Sequence, residues 1–208
     1  SRGFRYFISY FSNVSTPNRV TLHAADGKLV RTLEDNVALR NTLSKLNVPE
    51  KEFFTFRIPE GIELNGYMIR PADFDSTRSY PLFMVQYSGP GSQRVADSWS
   101  MGWEDVLVQQ GYIVACVDGR GTGFRGSEFK KCTYKQLGKY EVEDQIAAAR
   151  YLGALPYIDS DRIGIFGWSY GGFMALNCIL KGNDVFKMAI AVAPVTSWRF
   201  YDTIYTEI

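Results

Sequence analysis

The 208-residue chain has room for one good-sized domain, or one domain with part of another. Its 46% hydrophobic and 22% charged residues are an ordinary globular balance. A net charge of +1 gives no reason to expect nucleic acid or an anionic membrane surface as a partner, and no apolar run approaches the roughly 20 residues of a membrane span.

The first 34 residues read as all-β. Arg5–Ser12 (RYFISYFS) is a strand with an aromatic side, and RVTLHA and KLVRTL flank Ala25-Asp26-Gly27. Asp-Gly between two β-type runs is a strong hairpin signal. These strands look like the last of a larger sheet, and no internal repeat is visible. No signal peptide is expected, because Ser1-Arg2-Gly3-Phe4 opens within a structured pattern, as in a chain cut from a longer protein. Asn36–Asn47 is expected as a short helix with Leu39, Leu43 and Leu46 on one side, ended by Pro49.

From about Glu52 the pattern changes. FFTFRI and LNGYMIRP predict two strands around a turn at Glu60-Gly61, and PLFMVQYSG (Pro81–Gly89) has the run of a buried central strand. WEDVLVQQGY suits a helix ending at Gly111, and YIVACVD another buried strand. Glu141–Leu155 predicts an amphipathic helix, with Val142, Ile146, Ala149 and Leu152 at helical spacing. RIGIFGW is a strand, GGFMALNCILK a helix and KMAIAVAPV a strand. Strands alternating with helices predict a mostly parallel sheet covered on both faces, an α/β fold. Cys116 and Cys178 fall in core-like runs and are expected as buried thiols; the three cysteines form no disulfide framework.

Gly167-Trp168-Ser169-Tyr170-Gly171 fits G-x-S-x-G between an apolar strand and a helix. A serine there turns sharply, usually at positive φ, which demands small neighbours. The helix N-terminus then faces the developing oxyanion. Ser169 is the candidate nucleophile and the N–H of Tyr170 the expected oxyanion donor. A second donor usually comes from the loop after the third strand, here YSGPGSQ. Tyr87 ends that strand; its phenol could reach the site, but pattern alone favours structural packing.

Gly121-Thr122-Gly123-Phe124-Arg125-Gly126 fits G-x-G-x-x-G after a strand, with Asp144 near the acidic offset of a dinucleotide site. The third glycine should open a helix, and SEFKKCTYKQLG has no clean apolar stripe. A shaped loop is expected instead, its backbone bonded by Asp118 and Arg120. The single histidine, His23, lies beside the hairpin and is expected as a satisfied strand residue. Neither Asp184 nor Asp202, which come after Ser169, can be assigned as a triad acid without a histidine to orient. No residue spacing suggests a metal or other cofactor.

The chain resembles the dipeptidyl peptidase IV family of the prolyl oligopeptidase group of serine peptidases, in a bacterial form. The resemblance runs over nearly the whole length. It is carried by Tyr87-Ser88-Gly89-Pro90, Asp118-Gly119-Arg120-Gly121, Glu141-Val142-Glu143-Asp144-Gln145, Gly167–Gly172 and Tyr201–Glu207. It implies that residues 1–48 are the end of a β-propeller and a crossover. Residues 49–208 would be the first half of an α/β-hydrolase domain that stops before the family's aspartate and histidine. It implies a serine exopeptidase that releases N-terminal dipeptides with Pro or Ala second. Ser169 would be the nucleophile, and Tyr87 and Tyr170 the oxyanion hole, reversing the packing preference for Tyr87. Val195, Trp198, Tyr201 and Tyr205 would line the proline pocket, since a flat apolar ring packs well on aromatic faces. Peptides would be the substrates, with a homodimer at the cell surface, secreted or in the periplasm. Lacking its partners, the chain alone is expected to be inactive. A tripeptidyl- or acylaminoacyl-peptidase or an esterase of the same fold is the alternative, and a binding module that lost its chemistry is the alternative of another class.

Overall fold

The computed structural model describes residues 2–206 and divides them into two compact units. One runs up to Glu50 and takes in Ala96–Val106; the other holds Lys51–Val95 and continues from Leu107.

In the first unit β1 (Tyr6–Asn13), β2 (Thr16–Ala24) and β3 (Leu29–Glu34) form an antiparallel meander in that order. Gly27 sits at φ 88 in the predicted hairpin turn, and Asp26 closes it by accepting the Lys28 N–H at 2.9 Å. The helix α1 (Val37–Leu43) is shorter than its pattern predicts. Leu39 and Leu43 are half-buried, but Leu46 is exposed. With no burial to reward another turn, the chain tightens through Lys45 N–H to Thr42 and Leu46 N–H to Leu43 bonds. Pro49 therefore does not end the helix.

The second unit is built on β4 (Glu52–Arg57), β5 (Glu63–Ile69), β6 (Tyr80–Val85), β7 (Ile113–Asp118), β8 (Ile158–Trp168) and β9 (Met188–Val192). Their order is β4-β5-β7-β6-β8-β9; β7, β6, β8 and β9 run parallel, while β4 and β5 are antiparallel to their neighbours. The helices are α2 (Trp103–Gln109), which leads from the Ala96–Val106 segment into this unit, α3 (Ser127–Lys131), α4 (Tyr140–Gly153), α5 (Tyr170–Lys181) and α6 (Thr203–Thr206). This is an α/β fold with a mixed sheet.

Strand periodicity sorts the core into two layers. Leu82 and Met84 of β6 with Ile113, Ala115 and Val117 of β7 pack into one cluster with α4 and α5. Phe83, Val85, Val114 and Cys116 point the other way, to Val108 of α2. Both faces of these strands are thus covered, which is why they read as unbroken apolar runs. Cys178 is also buried, and no disulfide forms among the described residues.

The buried face of α4 holds Val142, Ala149 and Leu152 as predicted, but is wider than the predicted stripe. Glu141, Asp144, Gln145, Ala148 and Leu152 are fully buried, while Ile146 is only half-buried. Polar side chains occupy one end of a helix face whose other end is aliphatic.

Candidate active site

The carboxyl ends of β6, β7 and β8 lead into three turns, residues 86–92, 119–126 and 168–172. In open α/β sheets that is the edge at which ligands bind. Ser169 lies between β8 and α5 at φ 58, ψ −115, a conformation that non-glycine residues rarely adopt. Its N–H donates to Val192 O at 2.9 Å, and its carbonyl accepts the Phe173 N–H at 3.0 Å.

The flanking glycines are required by backbone contacts. A Cβ on Gly167 would stand 2.0 Å from the Gly171 carbonyl oxygen; one on Gly171 would meet Gln86 O at 2.8 Å, and one on Gly172 would meet Val192 O at 2.8 Å. The Gln86 side chain fills the remaining space and donates to Gly171 O at 2.9 Å. Ser88 bonds the Gln86 side-chain oxygen at 3.0 Å, and Gln145 bonds Ser88 at 3.2 Å and Val117 O at 2.8 Å. A buried amide network thus ties β6, β7 and α4 to the first turn of α5.

Tyr170 is the first residue of α5, so its N–H has no acceptor inside the helix. Its phenol is committed elsewhere: it donates to the fully buried Glu141 carboxylate at 2.5 Å. The Gly138 N–H donates to both Glu141 oxygens, at 3.2 and 3.1 Å. Burial pushes the Glu141 carboxyl above its usual range, partly countered by these bonds. Burial first, and then the adjoining Glu141, raise the Tyr170 phenol far enough that it stays protonated.

An aromatic cluster surrounds Tyr170. Its ring lies 6.1 Å from Tyr87, 5.5 Å from Trp198 and 6.5 Å from Tyr205. Trp198 stacks on Tyr205 at 5.8 Å and meets Tyr201 edge-on at 5.7 Å. Burial, followed by the neighbouring Tyr87 and Tyr201, pushes the Tyr205 phenol up to about 12, so at neutral pH it is a neutral donor. Val195 is half-buried in the stretch between β9 and Trp198. A cleft of about 560 Å³ opens beside Tyr205, lined also by Pro90, Thr133 and Leu137. The structure therefore brings Tyr87, Tyr170, Trp198, Tyr201 and Tyr205 into one cluster, whose Tyr170 directly follows Ser169 in sequence. Glu207, the last residue of the Tyr201–Glu207 motif, lies outside the described residues.

The second glycine-rich turn differs from expectation in two ways. Gly126 does open a helix, but α3 has only five residues. Asp118 bonds the N–H groups of Arg94 and Val95 rather than its own loop, at 2.9 and 2.8 Å, and Arg120 spends its side chain on Asp144, at 2.6 Å in a buried pair. Asp144 points into that pair because it shares the buried stripe of α4. The turn braces the first one, with Gly91 N–H bonded to Gly121 O and Gly123 N–H to Ser92 O, each at 2.8 Å.

The remaining candidates are locally occupied. His23 shares its ring nitrogens with Thr21 and the Gly27 carbonyl and stacks on Phe7. Asp184 pairs with Arg150 at 2.8 Å on the surface, and Asp202 accepts the Tyr205 N–H at 2.9 Å at the start of α6. No group of three His, Cys, Asp or Glu among the described residues could hold a metal ion. Sequence reading gave no role to Gln86, nor to Glu141 and Gln145, which it noted only within a motif of the resemblance. The available signal was spacing: residues 141, 145, 148 and 152 recur at helical intervals with the buried alanines and leucine.

A positive-φ serine at a strand–helix elbow, crowded by glycines and backed by a helix N-terminus, defines the nucleophile-elbow class of α/β proteins. The model of the prolyl oligopeptidase family matches residues 99–208, and the chain belongs to that family. It is 45% identical over 183 residues to dipeptidyl aminopeptidase B of Saccharomyces cerevisiae, covering 86% of this chain and 22% of that protein. It is 42% identical over 191 residues to human prolyl endopeptidase FAP, covering 90% and 25%. The crystal structure of Porphyromonas gingivalis dipeptidyl peptidase 4 superposes with a TM-score of 0.96 at 53% identity, over 100% of this chain and 30% of that one. The chain thus spans about a fifth to a quarter of the length of the curated relatives it matches.

Proposed function

We propose that the intact protein is a serine exopeptidase that releases N-terminal dipeptides with Pro or Ala in the second position. The observation that carries this reading is the strained Ser169 elbow beside an aromatic cluster. Residues up to about 48 would be propeller strands and a crossover, and those from about 49 the first half of a hydrolase domain. Ser169 Oγ attacks the scissile carbonyl, and the oxyanion sits between the Tyr170 N–H and the Tyr87 hydroxyl. The substrate's proline ring packs among Val195, Trp198, Tyr201 and Tyr205, and water then releases the acyl group. A histidine takes the serine proton and gives it to the departing amine as the scissile C–N bond breaks, and an aspartate orients that histidine. The 208 residues supply no such histidine, since His23 is the only one and is occupied in its strand. The chain by itself is therefore inactive in this reading. A homodimer at the cell surface, secreted or in the periplasm belongs to the same proposal.

The test is labelling of the intact protein with a fluorophosphonate, together with hydrolysis of an Xaa-Pro anilide. Both are expected to vanish in Ser169→Ala, and equal labelling of the variant would remove Ser169 as nucleophile. The 42% identity to prolyl endopeptidase FAP favours one second reading, cleavage after internal proline. Turnover of an N-terminally blocked Gly-Pro peptide at a rate matching the free one would select it.

A further inference from the structure

We infer that Glu141 is a positioning residue for the oxyanion hole: its carboxylate, bonded to the Tyr170 hydroxyl and the Gly138 N–H, holds in place the Tyr170 peptide N–H that meets the intermediate on Ser169. This rests on the reading of Ser169 and Tyr170 given above.

The geometry supplies the lever. Ser169 is held at φ 58, and the peptide on its C-terminal side carries the Tyr170 N–H. Such strain persists only where surrounding contacts over-determine it. On one side, Ser169 N–H is fastened to Val192 O. On the other, the Tyr170 side chain is fastened at its far end, 2.5 Å from a Glu141 oxygen. Between these points the Tyr170 ring is packed by Tyr87, Phe173 and Trp198. Rotation of the peptide would have to drag a phenol out of its bond.

Glu141 is itself anchored. It lies in the first turn of α4, and the preceding Gly138 sits at φ 77, where a Cβ would be 2.5 Å from the Phe173 ring. That close approach seats the turn before α4 against α5 and aims the Gly138 N–H at the carboxylate. The site offers two donors, and a carboxylate, which only accepts, matches it. Oε1 accepts the Tyr170 hydroxyl and shares the Gly138 N–H with Oε2. The pair therefore links the start of α4 to the residue whose N–H works in the transition state.

The experiment uses the intact protein, with kcat expressed per fluorophosphonate-titrated serine. Glu141→Ala should lower kcat about 10–100-fold, with KM within about threefold, since misplacing an oxyanion donor costs the transition state and not the bound substrate. Tyr170→Phe should lose as much, and the double variant no more than either alone. Glu141→Gln, which retains Oε1, should stay within about threefold of the parent. A peptidyl boronate, which forms the tetrahedral adduct, should weaken in step with kcat. Parental kcat per titrated serine in Glu141→Ala, or losses that multiply in the double variant, would overturn the inference. If Glu141→Ala does not fold, unchanged kcat in Tyr170→Phe overturns it equally. Turnover surviving Ser169→Ala would instead sink the underlying reading, a separate result.

Discussion

Two glycine-rich turns leave the ends of parallel strands in this molecule, and they do opposite work. After β8, Gly167, Gly171 and Gly172 are needed because backbone oxygens lie where their Cβ atoms would go. After β7, Gly126 is needed only for conformation, at φ 92, whereas a Cβ on Gly121, at φ 93, would also meet the Thr133 side chain at 2.7 Å and one on Gly123 the Gly91 carbonyl oxygen at 2.8 Å. The first turn delivers a strained serine to a helix of 12 residues, whose N-terminus can face a charge. The second ends in a five-residue helix and binds a neighbouring loop. Glycine density after a strand therefore marks a tight turn and not an activity. Close backbone contacts occur in both; the strained serine, and the length of the helix that follows, separate the two turns.

Three expectations can break this contrast. In the intact protein, Ser169→Ala should cut turnover about 10⁶-fold, as the loss of the nucleophile does in a serine peptidase; a residual rate near the parent would end the comparison. Gly171→Ala should cost about 100-fold in kcat or prevent folding, because its Cβ has only the Gln86 backbone to displace. Gly126→Ala meets no atom within 4 Å, so only its positive φ is strained. It should lose about 1–2 kcal/mol of stability with kcat unchanged. Matching activity losses at 126 and 171, measured side by side, would refute the distinction.

Arg120→Ala sharpens the scaffolding role of the second turn. It leaves Asp144 buried without its partner, which costs about 3–5 kcal/mol in such pairs. Denaturant midpoints should fall well before kcat per titrated serine does.

The smallest effect is one of pH. Glu141 has a folded pKa raised by burial, so the folded state holds its proton more tightly than the unfolded state. Its contribution to stability is full below about pH 4, the unfolded carboxyl value, and is lost as pH rises through the folded value. Glu141→Gln removes that dependence. Urea midpoints measured from pH 4 upward should shift in favour of the variant as pH rises, and parallel curves would contradict it.

The opening meander shows a limit of strand reading. Tyr6, Phe7, Ile8, Tyr10 and Phe11 announce a strand correctly, yet all are exposed. The equally apolar β6 and β7 are buried on both faces. Hydrophobicity selects the extended backbone, but burial needs an opposing layer, which α4 and α5 supply in the second unit.

The elbow was legible because its chemistry is local. Strand, serine and glycines lie within a few residues, and steric demands at adjacent positions are written in adjacent letters. The aromatic residues at 198, 201 and 205 were likewise visible as a group. The buried Glu141–Tyr170 bond, the Ser88–Gln145 link of the Gln86 network and the pairing of Arg120 with Asp144 span 29, 57 and 24 positions respectively. A charged letter reads as solvent-facing until a partner is placed beside it. The sequence by itself determined where the serine elbow stands and which elements carry it. Only the tertiary structure decided which polar groups are buried to hold it, because a buried polar group is tolerated only once folding has brought it a hydrogen-bond partner.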